Sequence, residues 1–474
     1  MRFISIAIRF SLLLTAASIP LWSQVNTSSS QQAGTQQTGS QQTPGGVEDV
    51  TGGATTDSSN SSQAPMITPS PVGGGEGYAL AYASETPRTN YLRGGIVFGV
   101  AYDDNALSSG AKPVSDVSYS IAPNIALDQS RSRLHWTLSY SPGFTFYQRY
   151  TSYNQSNQNL AANFSYRLSP HVTFSAQEAF TKTSGSSNQF TPNETGSSSG
   201  VVQTPNETII APIADMISDS SSARLSYQFS QNGMIGITGN FSQLHYPNQS
   251  QVPGLFDSNT SGGGAFYTHR LSGKHYIGAT YQFQKYLSRA PNVGGQTTQS
   301  HSFVGFYTFY FKPTFSFSLF GGPQHSDTSG FGVLPLDMWS PSGGGSVSWQ
   351  GQRTSISMGY SRRITNGGGL QGAVTSNSAD ANLRRQLTRN LNATFGASYA
   401  TNKVLDALPS SDTNGHSISG SAALQRAFGE HFSMMLGYSR LHQTYNNIEA
   451  ISIAPDRDRI SFSMSYQFQR PLGR

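Results

Sequence analysis

The sequence predicts an all-β protein, namely a closed antiparallel transmembrane β-barrel of about 18 strands (16 to 18). Three observations support this fold class. Apolar and polar residues alternate with a period of two over residues 94–468, as in strands whose two faces meet different surroundings. Only 11% of the 474 residues are charged, against about 25% in ordinary soluble domains. Tight turns and long polar connections also follow one another along the chain.

The composition excludes several other classes of protein. With 27 Phe and 23 Tyr, the chain is too aromatic for an intrinsically disordered protein. After the first two dozen residues it has no apolar run of the roughly 18 residues that a transmembrane helix requires. The absence of cysteine excludes disulfides, thiolate metal sites and a lipid-bearing cysteine. The net charge of +5 is modest and the basic residues are scattered, so no nucleic-acid partner is predicted.

The N-terminus predicts export from the cytoplasm. Arg2 and Arg9 lie around an apolar stretch that begins at Phe3, which is typical of a secretory signal peptide. A single membrane anchor is the alternative, but Arg9 interrupts the apolar run and Pro20 ends it early. The expected organisation is a signal peptide at 1–24, a flexible Ser/Thr/Gln/Gly-rich periplasmic leader at 25–75, a pre-barrel segment at 76–93, the barrel at 94–468 and a short tail at 469–474.

The predicted strands each carry one apolar and one polar face. The terminal strand is a clear example, because Ser461, Ser463, Ser465 and Gln467 alternate with Ile460, Phe462, Met464, Tyr466 and Phe468. Each segment is near the ten residues that a tilted strand needs to cross a bilayer. The polar faces consist of Ser, Thr, Asn, Gln and Gly rather than Lys and Glu, and aromatic residues cluster near the turns. This pattern favours lipid on the apolar face over a soluble sandwich or β-solenoid.

The connections between strands alternate in length. Tight turns are predicted at Ser169-Pro170, Gln231-Asn232-Gly233, Ser272-Gly273-Lys274, Lys312-Pro313, Gly351-Gln352, Thr388-Arg389-Asn390 and Gly429-Glu430. Between them lie long polar stretches, the longest from about Thr183 to Ser220. Outer-membrane barrels have short periplasmic turns and long external loops. An even number of strands then places both termini on the periplasmic side.

Two short motifs resemble those of bacterial outer-membrane β-barrels. The first strand ends at Tyr102 and is followed by Asp103, Asp104 and Asn105, which resembles the bacterial β-barrel porin families. The terminal alternation of Phe462, Tyr466 and Phe468 is similar to the C-terminal signal that the barrel-assembly machinery reads. The chain departs from that signal by continuing for six residues beyond its last aromatic, which leaves the register of recognition open.

The layout of charge predicts a weak preference for anions. Acidic residues lie mostly in the long loops, whereas several arginines on the polar parity lie toward the short turns and are predicted to face the lumen: Arg133, Arg167, Arg224 and Arg384. Charged rings of this kind select ions in pores. The alternative is that these arginines snorkel, pair with loop acids or solubilise the periplasmic rim. Glu178 falls on the lipid parity, so either a bulge shifts the register there or the residue lies at the interface.

Other candidate sites have simpler interpretations. The ten histidines are dispersed and form no motif with Ser and Asp, so no enzyme activity and no cofactor are predicted. The run Asp103, Asp104 and Asn105 contains ligand types that suit Ca²⁺, but the same residues favour a turn where a strand meets a loop. Glycine clusters at 262–264, 343–345 and 367–369 lack the strand-to-helix setting of a phosphate loop and are expected at barrel bends or strand mouths.

The sequence therefore predicts an outer-membrane, porin-like channel for passive diffusion of small hydrophilic solutes, with external loops narrowing or gating its mouth. Its expected partners are the lipid bilayer, lipopolysaccharide, the barrel-assembly machinery and the solutes themselves, and the oligomeric state stays open. Two alternatives remain. The barrel is a conduit or accessory for polysaccharide export, or it is a surface-structural or adhesive protein whose lumen is occluded.

Overall fold

In the part of the chain that the structure describes, the fold consists of 18 β-strands and two single-turn 3₁₀ segments. A computed structural model describes residues 89–106, 113–183, 215–249, 254–290, 294–330, 335–405, 414–446 and 456–472. The predicted signal peptide and leader, and most of the predicted longest loop, lie outside these ranges. No helix in the described part of the chain is long and apolar enough to cross a membrane.

The strands follow one another along the chain with the bounds β1 Thr89–Asp103, β2 Asp116–Ser130, β3 Leu134–Tyr147, β4 Gln155–Arg167, β5 Val172–Thr183, β6 Met216–Gln228, β7 Gly233–His245, β8 Asp257–Arg270, β9 His275–Ala290, β10 Gly294–Lys312, β11 Phe315–Gly330, β12 Leu336–Gln350, β13 Thr354–Thr365, β14 Val374–Thr388, β15 Leu391–Val404, β16 Gly415–Phe428, β17 Phe432–Tyr445 and β18 Arg457–Pro471. The 3₁₀ segments are Thr151–Tyr153 and Gly367–Gly369.

Every strand pairs antiparallel with its neighbours in the chain, and β18 pairs with β1. The sheet therefore closes into an 18-strand barrel, which confirms the predicted fold class. Closure leaves no sheet edge running the height of the wall, as a lipid-embedded sheet requires. The predicted tight turns all lie at junctions on one end of the barrel. The longest predicted loop is shorter than expected at its C-terminal end, because residues 216–220 already belong to β6.

The wall extends beyond the predicted barrel at both ends. β1 begins at Thr89 rather than residue 94, and β18 continues to Pro471 rather than ending at Phe468. The reason is the closing ladder, in which Tyr91 pairs with Pro471 and Arg93 with Gln469. Residues 89–93 and 469–471 show no alternation of apolar and polar side chains that predicts a strand, and pairing with the adjacent strand holds them in the sheet.

The two faces of the wall have opposite chemistry. The outer face exposes large apolar side chains, among them Phe98, Ile125, Ile237, Phe303, Leu319, Met358, Phe395, Leu436 and Ile460. Aromatic pairs flank the short turns, with ring centroids 5.2 Å apart for Phe311 and Phe315 and 6.0 Å apart for Phe428 and Phe432. An apolar belt bordered by aromatic residues is the outer surface of a barrel that lies in a bilayer.

Aromatic rings lie flat over glycines on the neighbouring strand. A Cβ atom on Gly278 would lie 2.3 Å from the Phe306 ring, and one on Gly236 would lie 2.5 Å from the Phe266 ring. The same relationship joins Gly344 to Phe320, at 2.6 Å. Phe266, Phe306 and Met234 form a buried cluster, against which Phe320 packs. Glycine here makes room for a ring that covers the exposed backbone, a device that pins strand register.

Candidate functional site: the lumen and its external mouth

The inner wall is lined by small polar side chains that bond to one another across strands. The hydroxyls of Thr298 and Thr328 lie 3.0 Å apart, and the Gln324 amide donates to the Ser300 hydroxyl at 2.9 Å. Asn240 and Gln284 exchange two amide hydrogen bonds at 3.3 and 3.1 Å. Thr298, Thr328, Ser300 and Gln324 are buried, whereas Asn240 and Gln284 are only partly buried and still offer donors and acceptors to water. The wall can therefore hydrate a polar solute.

The four arginines predicted to face the lumen have different positions. Arg224 and Arg384 lie in the wall on the inner parity, each four residues from the short-turn end of its strand. Arg167 is the last residue of β4. Arg133 lies outside the wall, in the exposed turn before β3, because β3 begins only at Leu134. The prediction of a lumen-facing Arg133 is therefore corrected.

Two inward arginines pack on aromatic rings. The Arg224 guanidinium carbon lies 5.5 Å from the centre of the buried Phe266 ring, and that of Arg270 lies 5.9 Å from the Tyr276 ring. These contacts hold the cations close to the wall by cation–π attraction. The sequence analysis missed Arg270, along with Arg363, Arg457 and Arg459, although all four share the inner parity of their strands. Following the alternation of inward and outward side chains to the last residue of each strand would have identified these four arginines.

The lumen also carries acidic groups. Asp380 is exposed on the inner parity of β14, and its carboxylate extends over Gly359, where an added Cβ would lie 2.8 Å from Asp380 Oδ1. Near the short-turn end, Asp128 lies 3.4 Å from the Arg93 guanidinium. The inner wall is thus mixed in charge, and among the described wall residues its arginines outnumber its carboxylates on the short-turn half.

The external mouth is crossed by residues 366–373, which connect β13 and β14 and are named here the mouth loop. Leu370 is 1% exposed and packs in a cluster with Met216 of β6, Leu244 of β7 and Tyr445 of β17. Around the ring of strands, β6 and β7 lie six or more positions from β13. Contact with inner-parity residues this far around the wall requires that the mouth loop cross the lumen.

Residues 246–249 and 254–256, at the two ends of the connection between β7 and β8, reach the mouth loop from a distant part of the wall. Phe256 N donates to Gly369 O at 2.8 Å, and the Tyr246 hydroxyl donates to Gly368 O at 3.4 Å. Asp257 holds this connection by accepting from Tyr246 N at 2.9 Å and from the Gln249 amide at 3.0 Å. Burial raises the pKa of the Tyr246 hydroxyl far above its ordinary value, and nearby Asp257 adds to the effect. Tyr246 therefore remains a hydrogen-bond donor.

The predicted turn residues Asp103, Asp104 and Asn105 lie at the closing seam of the barrel. Asn105 N donates to Asp103 Oδ1 at 3.1 Å, which is a local turn bond. The carboxylate of Asp103 is also paired with Arg457, and Asp104 Oδ1 accepts from Asp458 N at 2.8 Å. Both carboxylates thus tie the end of β1 to the start of β18.

The residues of the predicted assembly signal lie on the outer face of β18. Phe462, Tyr466 and Phe468 are all exposed. The Phe468 ring covers Gly94 of β1, where a Cβ atom would lie 2.4 Å from it. The last aromatic of the signal therefore contacts the closing seam.

Glu178 lies on the outer parity of β5, opposite Ala162 of β4 and Ser221 of β6. The pairing of β5 with both neighbours is continuous, so no bulge shifts the register at this point. Of the two readings left open by the sequence, the bulge is therefore wrong. Glu178 is six residues from the start of a 12-residue strand, near the middle of the wall.

Three histidines bond to aspartates on the adjacent strand at the external ends. The closest nitrogen–oxygen distances are 2.6 Å for His245 and Asp257 and 2.5 Å for His325 and Asp337. His442 and Asp456 form the third pair, and this hydrogen bond lowers the pKa of the Asp456 carboxyl. No group of three or more His, Cys, Asp or Glu that could hold a metal occurs in the part of the chain that the structure describes.

Comparison with known proteins finds likeness only among solved structures. No family model matches the chain, and no curated protein matches it. Three similar structures are the FrpB iron transporter from Neisseria meningitidis (8% identity, TM-score 0.40, covering 80% of this chain and 82% of that one), OpdK from Pseudomonas aeruginosa with vanillate (9%, 0.40, 80% and 99%) and OccAB4 from Acinetobacter baumannii (10%, 0.39, 81% and 99%).

Proposed function

We propose that this protein is an outer-membrane channel through which small hydrophilic solutes diffuse passively. The observation that carries the proposal is the opposite chemistry of the two faces of one closed wall. Its outer face is apolar and aromatic, whereas its inner face is lined by Ser, Thr, Asn and Gln. A barrel of 18 strands encloses a lumen wide enough for water, and the inner-wall polar groups that are not buried, among them Asn240, Gln284 and Asp380, can meet that water.

The proposed location follows from the same chemistry together with the N-terminus. An exported chain with a signal peptide and a lipid-facing barrel reaches the outer membrane of a Gram-negative-type bacterium. There the barrel-assembly machinery would insert it, with the exposed aromatics of β18 as the recognition element. Lipopolysaccharide would surround its external half. This placement puts the short turns in the periplasm and the mouth loop at the cell surface.

The proposed selectivity is a weak preference for anions. Arg224 and Arg384 lie in the short-turn half of the inner wall, and Arg167 lies at its rim. Arginine stays charged at every physiological pH, so these groups attract anions into the lumen. Asp380 opposes them in the middle of β14, which is why the preference is expected to be weak.

The test is conductance in planar lipid bilayers with the purified full-length protein. Ohmic openings support a channel, and a reversal potential displaced toward the chloride equilibrium value in a KCl gradient supports anion preference. A displacement toward the potassium value would refute the preference and leave the channel intact. Block by an acidic polysaccharide would favour the export conduit.

A second function is favoured by one specific observation. The mouth loop crosses the lumen and its Leu370 is buried there. A barrel that is permanently occluded at its mouth would serve as a surface-structural or adhesive protein. Such a protein would insert into bilayers and remain silent at all voltages.

A further inference from the structure

We propose that the mouth loop (366–373) is a gate and that Tyr246, Leu255 and Phe256, at the two ends of the β7–β8 connection, form the latch that holds it shut. The inference rests on the channel proposed above and adds its regulation. In this arrangement the barrel wall stays intact while the mouth loop moves, and the described conformation is the closed one.

On its β13 side, the mouth loop is not joined to the wall by a backbone ladder. The ladder between β12 and β13 ends where Gly343 pairs with Arg362, although β12 continues as a strand to Leu336 and β13 continues to Thr365. The top of β13 has therefore separated from β12. Its Ile364 is buried in a cluster with Tyr286 and Ala373, and Met338 of β12 packs against that cluster. Side-chain packing and one hydrogen bond, from the Tyr286 hydroxyl of β9 to Ile364 O at 3.0 Å, close the wall at this place, and both can rearrange without breaking a ladder.

The other side of the mouth loop provides the hinge. The ladder between β14 and β15 continues to the pair of Val374 and Val404, and Leu405 N donates to Ala373 O at 3.0 Å. β14 is therefore paired with β15 from Val374, the residue that directly follows the mouth loop. A segment anchored on one side and separated on the other can swing as a unit.

Glycine gives the mouth loop a backbone that fits closely against its surroundings. Gly367, Gly369 and Gly372 have φ angles of +72°, +115° and +78°, a region that other residues rarely adopt. A Cβ atom on Gly369 would lie 2.7 Å from the Tyr246 hydroxyl, and one on Gly372 would lie 2.5 Å from the Gln296 amide. The closed conformation therefore requires glycine at these positions, because a side chain there would collide with Tyr246 of the latch or Gln296 of the inner wall.

The latch holds this backbone through polar and apolar contacts. The hydrogen bonds from Phe256 N and the Tyr246 hydroxyl to successive carbonyls are joined by the burial of Leu370 beside Leu255 and Tyr246. Asp257 fixes the latch to β8, as described above. The two hydrogen bonds can be replaced by bonds to water, and Leu370 is the one large apolar side chain of the mouth loop that opening would expose. An open state therefore lies within reach of thermal motion or of a molecule that draws Tyr246 and Phe256 away from the mouth loop.

The test uses the fact that the chain has no cysteine. Because Phe256 N bonds to Gly369 O, residues 256 and 370 lie close together in the closed state. The full-length double variant Phe256→Cys/Leu370→Cys is purified, cross-linked through its two thiols by disulfide or by a short bis-maleimide, and examined in planar bilayers. Each single variant, with the same treatment, is the matched control. A difference in gel migration between the unheated and the heated protein reports whether the barrel has folded.

The expected result is loss of most of the open-channel current in the cross-linked protein and its return when the disulfide is reduced. Leu370→Ser, which unlatches the loop without cysteine, is expected to increase the fraction of time spent open. Leu271→Ser, in the short turn at the opposite end, is expected to leave that fraction unchanged. Equal currents before and after cross-linking would overturn the gate, as would failure of the folded double variant to cross-link. Efficient cross-linking with silence in every variant, Leu370→Ser included, would instead overturn the channel itself.

Discussion

Arg457 and Asp103 form a buried ion pair across the seam where β18 meets β1, although 354 positions separate them in the sequence. Arg457 Nε lies 2.6 Å from Asp103 Oδ2, and the side chains are only 7% and 6% exposed. The pair lies at the external end of the closing ladder. The first and last strands of the barrel are therefore joined there by charge as well as by backbone hydrogen bonds.

Replacing one partner of this pair is expected to destabilise the barrel strongly. In Asp103→Asn, Arg457 would keep a buried charge with its carboxylate partner removed, which typically costs about 3–5 kcal/mol. Urea unfolding of the protein in lipid vesicles, followed by tryptophan fluorescence, measures the change. Arg440→Gln is the control on the neighbouring β17–β18 ladder, because Arg440 bonds to Asp456 at 2.9 Å on the exposed outer rim. Little change is expected for this variant, and an equal loss in the two would contradict the role of burial.

Most of the fold could be predicted from the sequence because its signals are local. Alternation within a strand and turn residues between strands each involve neighbouring positions, so the strands and tight turns were identified. The role of Asp103 could not be predicted, because its carboxylate acts on a residue at the other end of the chain. The sequence supported only a turn and a calcium alternative there.

The mouth loop illustrates the same limit. Its three consecutive glycines were noticed in the sequence, but only as a barrel bend or strand mouth. These glycines bring backbone against Tyr246 only because the β13–β14 connection runs into the lumen. No local sequence pattern predicts that path. Among the arginines, parity alone identified Arg224 and Arg384 as wall residues, whereas Arg133 was misplaced because the strand boundary lies one residue beyond it.

The rings that cover glycines are expected to contribute substantially to stability. Phe306→Ala would uncover Gly278 and leave a cavity in the buried cluster of the inner wall, a change that costs about 3–5 kcal/mol in protein cores. Phe303→Ala is the matched control, since Phe303 is 56% exposed on the outer face of the same strand. Urea unfolding in vesicles of fixed lipid composition compares the two. A larger loss for Phe303→Ala would show that lipid contact outweighs the cover over glycine.

The inward arginines are expected to set the ionic preference of the channel. Arg384→Gln removes a positive charge from the wall while keeping a polar side chain of comparable reach. We expect the reversal potential in a KCl gradient to move toward the potassium value. Arg133→Gln changes the same charge in the exposed turn and is expected to have a smaller effect. If both variants shift the potential equally, net charge at the periplasmic rim, rather than the lumen wall, determines the preference.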